Sequence, residues 1–220
     1  MSNHHNRLTT FVLLALLAVC ISANALEVTV KSPGTLHTLI KSSDKYRITT
    51  LKIDGTINSE DIMLLRDMAG CDAYELRTEG RLRSIDMGGV TFAEDNTRFI
   101  EGNNNSIIND AYTIPAYMFS NCNIEKIVLP RNIRKIDAYA FRNTALKSIT
   151  LPENIIVKDY AFQGCRKLSE VLFPDFTKEL WSECFSRCSN LRTMTINNIG
   201  LLGSRAFKDM ENLTDITIKG

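Results

Sequence analysis

The sequence predicts a solenoid that is mainly β, with about five repeats of 21–23 residues after an N-terminal cap that contains a little helix. Five phenylalanines recur at spacings of 22, 21, 23 and 22 residues. Each follows an aliphatic residue by five positions and precedes an apolar trio with the spacing L-x-x-I-x-L, and three of the units close with proline. A fixed period of this length is typical of repeat architectures. The phenylalanines are Phe119, Phe141, Phe162, Phe185 and Phe207.

Each repeat contains a short strand, for which Ile149-Thr150-Leu151 is the clearest example. Alternation turns its two apolar side chains to one face and the threonine to the other. One unit has about five large inward side chains, each contributing ~2 kcal/mol when buried. Ordering about 22 residues costs more, at ~1–2 kcal/mol of backbone entropy per residue. We therefore expect the units to fold only when stacked into one continuous core.

Residues 1–25 are predicted to be a secretory signal peptide. Arg7 supplies the positive charge, an apolar run extends from Phe11 to Ile21, and Ala23-Asn24-Ala25 has the small-x-small pattern of a cleavage site. Eleven apolar residues are too few to cross ~30 Å of hydrocarbon as a helix, so we expect no transmembrane span. Acylation of Cys20 is a weaker alternative that would anchor the chain to lipid. The prediction is an exported protein, secreted or at the cell surface.

Residues 26–110 are predicted to cap the solenoid, whose open end would expose apolar core and unpaired strand edges. The solenoid itself is assigned to residues 111–220. The predicted cap elements are strands at Leu26–Val30, Thr49–Ile53 (ended by Asp54-Gly55) and Leu82–Met87 (before Gly88-Gly89), a helix from Asn58 or Ser59 to about Ala69, and an exposed polar loop from Ala93 to Asp110.

Composition excludes several classes of function. The net charge is only +1 across 220 residues, which lacks the basic field that nucleic-acid binding needs. His37 is the single histidine outside the predicted leader, so catalytic triads and histidine-ligated zinc sites are not expected. Phosphate-binding loops and metal-binding motifs do not occur in the sequence. We predict no enzymatic activity, no cofactor and no metal.

The cysteines follow the repeat. Cys122, Cys165 and Cys188 each lie three residues after a repeat phenylalanine. Five cysteines remain after the leader, an odd number, and residues two repeats apart are ~10 Å apart in a strand ladder. We expect buried free thiols that pack as small apolar side chains. A Cys165–Cys188 bridge between adjacent repeats is the one pairing that stays open.

A row of aromatic residues is the candidate ligand-binding site. Tyr117, Tyr139 and Tyr160 each precede a repeat phenylalanine by two positions, and Trp181 lies on the same segment of the next repeat. Pointing outward, such residues could stack on sugars or anchor a peptide. The alternative is that the tyrosines pack on one another and stabilise the ladder. Trp181 is expected to face solvent, since its row is otherwise polar or small.

With these residues in view, the chain resembles the BspA-like leucine-rich-repeat proteins, which are secreted or surface proteins of host-associated anaerobic bacteria. The resemblance implies a right-handed leucine-rich-repeat solenoid and adhesion to host matrix proteins or cells. Five repeats are few for the family, and the sequence shows no polar capping segment after Ile216-Thr217-Ile218. The segments that carry the resemblance are Ile136–Phe141, Leu146–Pro152, Gly34–Leu36, Leu51–Gly55 and Asn58–Ile62.

These observations predict an exported, non-enzymatic module that binds a macromolecule. The expected partner is a host extracellular or cell-surface protein. One alternative is a carbohydrate-binding module, which requires exposed, coplanar aromatic rings. Another is a structural solenoid that self-associates through residues 198–220, because the last repeat presents apolar residues with mixed charges around them.

Overall fold

The computed structural model describes residues 24–219, which form two rows of short parallel strands with little helix. Residues 1–23 lie outside the described residues, and with them the apolar run of the predicted signal peptide and Cys20; so does Gly220. Within residues 24–219, no helix has the length and apolar character that a membrane span needs. The helices are α1 (Leu36–Leu39) and α2 (Ser59–Met68). The strands are β1 (Ala25–Val30), β2 (Thr50–Ile57), β3 (Ser84–Phe92), β4 (Thr113–Ile114), β5 (Lys126–Val128), β6 (Lys135–Ile136), β7 (Ser148–Thr150), β8 (Ile156–Val157), β9 (Glu170–Leu172), β10 (Phe176–Leu180), β11 (Thr193–Ile196), β12 (Asn198–Leu202) and β13 (Asp215–Ile218).

The first row of strands begins in the N-terminal region and continues into the repeats. β1, β2, β3 and β5 form one parallel sheet in that order, and β5 is the first of the predicted I-x-L strands. Leu51 lies beside Ile85, which lies beside Ile127. The remaining I-x-L strands pair as β7 with β9 and β11 with β13. The N-terminal region thus extends the sheet of the repeats and covers the edge that β5 would otherwise expose.

The second row uses the aliphatic residues that lie five positions before each phenylalanine. β4, β6, β8, β10 and β12 pair in parallel in that order. Several of these strands are only two residues long, too short to show an alternating pattern in the sequence. Each repeat therefore contributes two strands, where the sequence predicts one. The residues brought side by side are Ile114, Ile136, Val157, Leu180 and Leu202.

The five repeat phenylalanines, here called the phenylalanine row, stack along the solenoid. Neighbouring ring centroids are 5.0–6.3 Å apart, and the rings are within 20° of parallel. The first four rings are fully buried and Phe207 is half-buried. They belong to one cluster of buried side chains that also includes Leu51 and Ile85 of the N-terminal region. The prediction of a single continuous core is confirmed.

Each repeat phenylalanine lies in a turn with two left-handed residues, which the sequence does not reveal. The residues two positions before and two after it all have positive φ, and nearly all carry side chains. This conformation costs energy for bulky residues. Backbone bonds between repeats hold the turns: the Phe119 N–H donates to the Ala140 carbonyl and the Phe141 N–H to the Ala161 carbonyl, both at 2.8 Å. The left-handed residues are Tyr117, Asn121, Tyr139, Asn143, Tyr160, Gly164, Glu183, Arg187, Arg205 and Asp209.

Two predicted strand ends are wrong. β2 continues through Gly55 to Ile57, and β3 continues through Gly88-Gly89 to Phe92. The pairing of the two strands shifts register here because β3 holds one more residue than β2. The glycines therefore mark a bulge inside the sheet and do not end it. Gly55 has φ 101°, and a Cβ at this residue would lie 2.1 Å from the Val30 carbonyl oxygen.

The structure confirms the predicted helix α2, but the predicted polar loop after β3 differs from its prediction. Asn58 is the N-cap of α2, and its side chain accepts from the Asp61 N–H while Asp61 accepts from the Asn58 N–H, which completes a capping box. The segment from Ala93 to Asp110 was expected to be exposed. Instead it buries Phe99 and Ser106, whose hydroxyl donates to the Ile100 carbonyl at 3.1 Å. Its few apolar residues fold the loop onto the core.

Arg66 of α2 is fully buried and completes the hydrogen bonding of the first repeat. In the second repeat the carbonyls of Ala140 and Arg142 accept N–H groups from the repeat before it. The equivalent carbonyls of the first repeat, those of Met118 and Ser120, accept from Nη1 of Arg66 at 3.3 Å. One guanidinium thus takes the place of backbone donors that a preceding repeat would supply.

The five cysteines of residues 24–219 are free and buried, as predicted. The Cys165 thiol donates to the Phe141 carbonyl at 3.0 Å, and the Cys188 thiol donates to the Phe162 carbonyl at 3.2 Å. Each bond joins a repeat to the one before it. Cys165 and Cys188 are not bridged in this structure.

Candidate ligand-binding groove

The three predicted tyrosines form a continuous stack, here called the tyrosine stack. The ring centroids of Tyr117 and Tyr139 are 4.8 Å apart with an interplanar angle of 15°, and those of Tyr139 and Tyr160 are 5.0 Å apart at 12°. All three side chains are half-buried. The left-handed turn fixes their position, since each tyrosine is the first positive-φ residue of its repeat.

Stacking determines what the tyrosines can offer a ligand. Tyr139 has a neighbouring ring on each face, so it presents its edge and hydroxyl. Burial raises the pKa of the Tyr117 and Tyr139 hydroxyls above the usual value, so both are neutral at physiological pH and can donate as well as accept. The geometry agrees with the alternative raised by the sequence, in which the tyrosines pack on one another. A ligand-binding role for the tyrosine stack stays a prediction.

Trp181 lies outside the tyrosine stack. It precedes its phenylalanine by four positions, and the residue at the tyrosine position of its repeat is Glu183. The Lys158 ammonium lies over the indole, 2.9 Å from the ring centroid, and the indole N–H donates to Oε2 of Glu179 at 2.7 Å. The side chain is half-buried. The expectation that Trp181 has no packing role is therefore corrected, because a cation–π contact and a hydrogen bond hold the half-buried indole. A ligand-binding role for Trp181 stays a prediction.

The tyrosine stack borders a groove that the sequence does not predict. The turn at residues 104–109 lies opposite Tyr117 and Tyr139, and the space between them measures about 370 Å³. The groove, here called the asparagine groove, offers side-chain amides, tyrosine edges and one carboxylate. The residues that line it are Asn104, Asn105, Ile107, Asn109, Ala116, Tyr117, Asp137, Ala138 and Tyr139.

The side chains that line the asparagine groove can contact a ligand mainly through hydrogen bonds. Asn104, Asn105 and Asn109 each carry two donors and an acceptor, and all three residues are exposed. The Asp137 carboxylate accepts from the Ala138 N–H at 2.8 Å, and the Lys135 ammonium lies 3.5 Å from it. The asparagine run was the available signal in the sequence. The sequence could not place this run opposite the tyrosines, because the loop that carries it was predicted only to be polar and exposed.

Among residues 24–219, no three His, Cys, Asp or Glu side chains come together in a way that could hold a metal ion. The His37 ring lies in the N-terminal region, with Nδ1 3.0 Å from the Gly34 carbonyl oxygen. A second groove of about 440 Å³ lies along β5 and β7, between the segments Lys126–Arg131 and Ser148–Pro152.

Comparisons with known proteins agree with this architecture. Residues 112–220 match the BspA type leucine rich repeat region in six copies, over a stretch in which the structure has five strands in each row. Among curated proteins, none matches the chain in sequence. A leucine-rich repeat protein from Bacteroides ovatus has a similar structure, with a TM-score of 0.53 and 22% identity over 77% of this chain and 37% of its own.

Two further solved structures are more distant. A leucine-rich cell surface protein from Faecalibacterium prausnitzii has a TM-score of 0.36 and 16% identity over 87% of this chain and 61% of its own. A leucine-rich repeat protein from Eubacterium ventriosum has a TM-score of 0.41 and 16% identity over 88% of this chain and 80% of its own. The chain thus spans about a third of the Bacteroides protein and three fifths of the Faecalibacterium protein. Through residues 112–220, with their repeat sequence and paired strand rows, the chain belongs to the BspA-type leucine-rich-repeat family.

Proposed function

We propose that the protein is an exported, non-enzymatic module that binds a host or cell-surface protein through the asparagine groove. Leucine-rich-repeat scaffolds of this family are typically binding modules, which supports the general class. The observation that carries the proposal is the groove itself, which is lined by three asparagines, a carboxylate and two tyrosines. A site of this size with convergent polar groups is a default candidate for recognition.

The tyrosine stack favours a protein ligand over a carbohydrate. A sugar ring stacks on the face of an aromatic ring, and both faces of Tyr139 are already covered by Tyr117 and Tyr160. What remains available are hydroxyls and amides, which pair with the N–H and C=O groups of a peptide segment. Tyrosine edges and asparagines are also typical of adaptable protein-binding surfaces.

Removing the groove hydroxyls is expected to weaken binding without unfolding the protein. In a Tyr117→Phe/Tyr139→Phe double variant the stacked rings remain and only two hydroxyls are lost. At ~1 kcal/mol for each lost hydrogen bond, the affinity for a bound protein should fall by about tenfold or more. The measurement is surface plasmon resonance against a panel of extracellular-matrix and cell-surface proteins, with a glycan array beside it.

Tyr160→Phe is the matched control, because Tyr160 belongs to the same stack but does not line the asparagine groove. Tyr160→Phe should bind like the wild type. The wild type, the double variant and this control should all unfold at the same temperature. Equal affinity of the double variant and the control would contradict the proposed groove. Binding to glycans with no binding to any protein would favour the carbohydrate alternative.

A second candidate function, self-association through residues 198–220, is favoured by the exposure of β13. Ile216 and Ile218 are 41% and 48% exposed, whereas the equivalent Met194 and Ile196 of β11 are buried. Exposed apolar side chains beside a strand edge with which no other strand of residues 24–219 pairs favour pairing with a second copy.

Sedimentation over a wide concentration range tests this second function. We expect concentration-dependent association that Ile218→Lys abolishes, because a charge at the exposed edge opposes pairing. Thr217→Lys is the control, since Thr217 is exposed in the wild type and alternates to the opposite side of the strand. A wild-type chain that sediments as a monomer at every concentration would rule self-association out.

A further inference from the structure

The junction between α2 and the first repeat brings two cysteines together from distant parts of the sequence. Cys71 follows the end of α2, and Cys122 lies three residues after the first repeat phenylalanine. Arg66 contacts both segments, with Nη2 3.5 Å from the Cys71 sulfur and Nη1 3.3 Å from the Ser120 carbonyl oxygen. The backbone brings the segments into contact as well, since the Asn123 N–H donates to the Ala69 carbonyl at 2.8 Å.

We propose that Cys71 and Cys122 are a dithiol that exchanges with a small-molecule or protein disulfide, and that the bridge formed joins the N-terminal region covalently to the first repeat. The chain between them holds β3 and the loop that carries the asparagines, so the bridge would close both into one covalent loop.

The surroundings of the two sulfurs differ, and the difference assigns their roles. Cys71 is buried, at 3% exposed, but it lines an open groove of about 380 Å³ together with Glu75, Arg77 and Asn121, and this groove is the route by which a disulfide would reach its sulfur. Cys122 lies behind it and does not line this groove. Cys71 is therefore the attacking thiol and Cys122 the thiol that completes the bridge.

The charges at the junction support these roles. Nη2 of Arg66 lies 3.5 Å from the Cys71 sulfur. The hydrogen bond from Cys122, helped by the Arg66 guanidinium, outweighs burial and lowers the pKa of Cys71 from 9 to about 7. Burial raises the pKa of Cys122 well above the usual value. Cys71 thus supplies the thiolate and Cys122 keeps its proton until the second step.

The exchange balances as two displacements. The Cys71 thiolate attacks one sulfur of the incoming disulfide, forming a mixed disulfide and expelling the first thiolate. Cys122 then gives its proton to solvent, attacks the Cys71 sulfur and expels the second thiolate. The protein dithiol is oxidised by two electrons, and the incoming disulfide is reduced to two thiols.

The second close pair in the structure provides an internal contrast. Cys165 and Cys188 also lie in adjacent repeats, but both are fully buried and each thiol donates to a backbone carbonyl. A disulfide has no path to either sulfur while the protein is folded. We therefore expect Cys165 and Cys188 to stay reduced under conditions that oxidise Cys71 and Cys122.

Peptide mapping of the folded, fully reduced chain after incubation with glutathione disulfide tests the proposal. We expect one disulfide, linking the peptides that contain Cys71 and Cys122, with Cys165, Cys184 and Cys188 free. With a maleimide probe in place of glutathione disulfide, Cys71 should react at least about tenfold faster than any other cysteine, and its rate should rise to half its maximum near pH 7.

Single variants separate the two roles. Cys122→Ala should trap glutathione on Cys71 as a stable mixed disulfide, and Cys71→Ala should leave Cys122 unmodified. Cys188→Ala is the control and should leave the Cys71–Cys122 bridge unchanged. A map of the wild-type protein without this bridge, or with Cys165–Cys188 forming first in the folded state, would overturn the proposal whether or not any variant folds.

Discussion

Replacing Arg66 with methionine is expected to lower the free energy of unfolding by about 3–5 kcal/mol, since buried acceptors that lose their donors cost ~1–3 kcal/mol each. The guanidinium donates to the carbonyls of Tyr117, Met118 and Ser120, at 2.9, 3.3 and 3.3 Å. Methionine fills similar space but has no donor. The carbonyls of Met118 and Ser120 would then be buried without partners at the junction between the N-terminal region and the repeats, whereas the Tyr117 carbonyl would keep the Ser120 N–H at 3.0 Å.

Urea unfolding followed by circular dichroism measures this loss. Arg81→Met is the matched control, because Arg81 is exposed in the same region, and a change at such a site is usually within about 0.5 kcal/mol. Arg66→Lys should be intermediate, since one ammonium cannot span the carbonyls that a planar guanidinium reaches. Equal unfolding free energies for Arg66→Met and Arg81→Met would show that the junction does not depend on Arg66.

Phe141→Ala is expected to cost about 3–5 kcal/mol of unfolding free energy, the usual range for emptying a buried phenylalanine site. The ring is fully buried, and its centroid lies 6.3 Å from that of Phe119 and 5.2 Å from that of Phe162. A cavity here would be closed on both sides by stacked rings. The neighbouring repeats cannot collapse into it without breaking the hydrogen bonds between them.

Phe207→Ala provides the comparison within the phenylalanine row. The Phe207 ring is half-buried and stacks on Phe185 alone, so its removal should cost clearly less in the same urea titration. A loss below about 1 kcal/mol for Phe141→Ala would mean that the row is not the centre of the core. Equal losses at the two positions would show that stacking on both sides does not matter.

The repeat and its core could be predicted because they depend on side chains that recur at a fixed spacing. In the first, second and fourth repeats, the phenylalanine, the apolar trio and any thiol three residues after phenylalanine lie buried where the spacing puts them. The start of α2 was equally accessible, since Asn58 and Asp61 form a local capping box. In each case the relevant contact is either local or repeated several times along the chain.

The N-terminal region was harder to predict because a glycine in a strand sequence can either end the strand or lie at a bulge inside it. Asp54-Gly55 and Gly88-Gly89 resemble ends of strands, yet β2 and β3 pass through both. Gly55 is needed because the neighbouring strand approaches too closely for a side chain: a Cβ at this residue would lie 2.1 Å from the Val30 carbonyl oxygen. A close approach between strands far apart in sequence leaves no local signal.

The candidate site, too, could be predicted from the sequence only in part. The spacing of Tyr117, Tyr139 and Tyr160 placed them in register, but the sequence could not decide whether their faces or their edges meet solvent. That depends on the left-handed turns, which bring the rings to about 5 Å. The sequence also placed Trp181 on the same segment as the tyrosines, whereas in the structure Lys158 lies over its indole and Glu183 occupies the tyrosine position of that repeat.

By itself, the sequence determined a stacked β repeat, its phenylalanine row, its buried thiols and the boundaries of α2, because periodicity and capping are properties of short segments. Only the tertiary structure decided how the N-terminal region covers the first repeat, which loop faces the tyrosine stack, and that Cys71 meets Cys122. Arg66 and Tyr117, like Cys71 and Cys122, are 51 positions apart, and each of these contacts is formed once. A contact made once between distant segments satisfies particular carbonyls or fills a particular gap, and no repeating pattern records it.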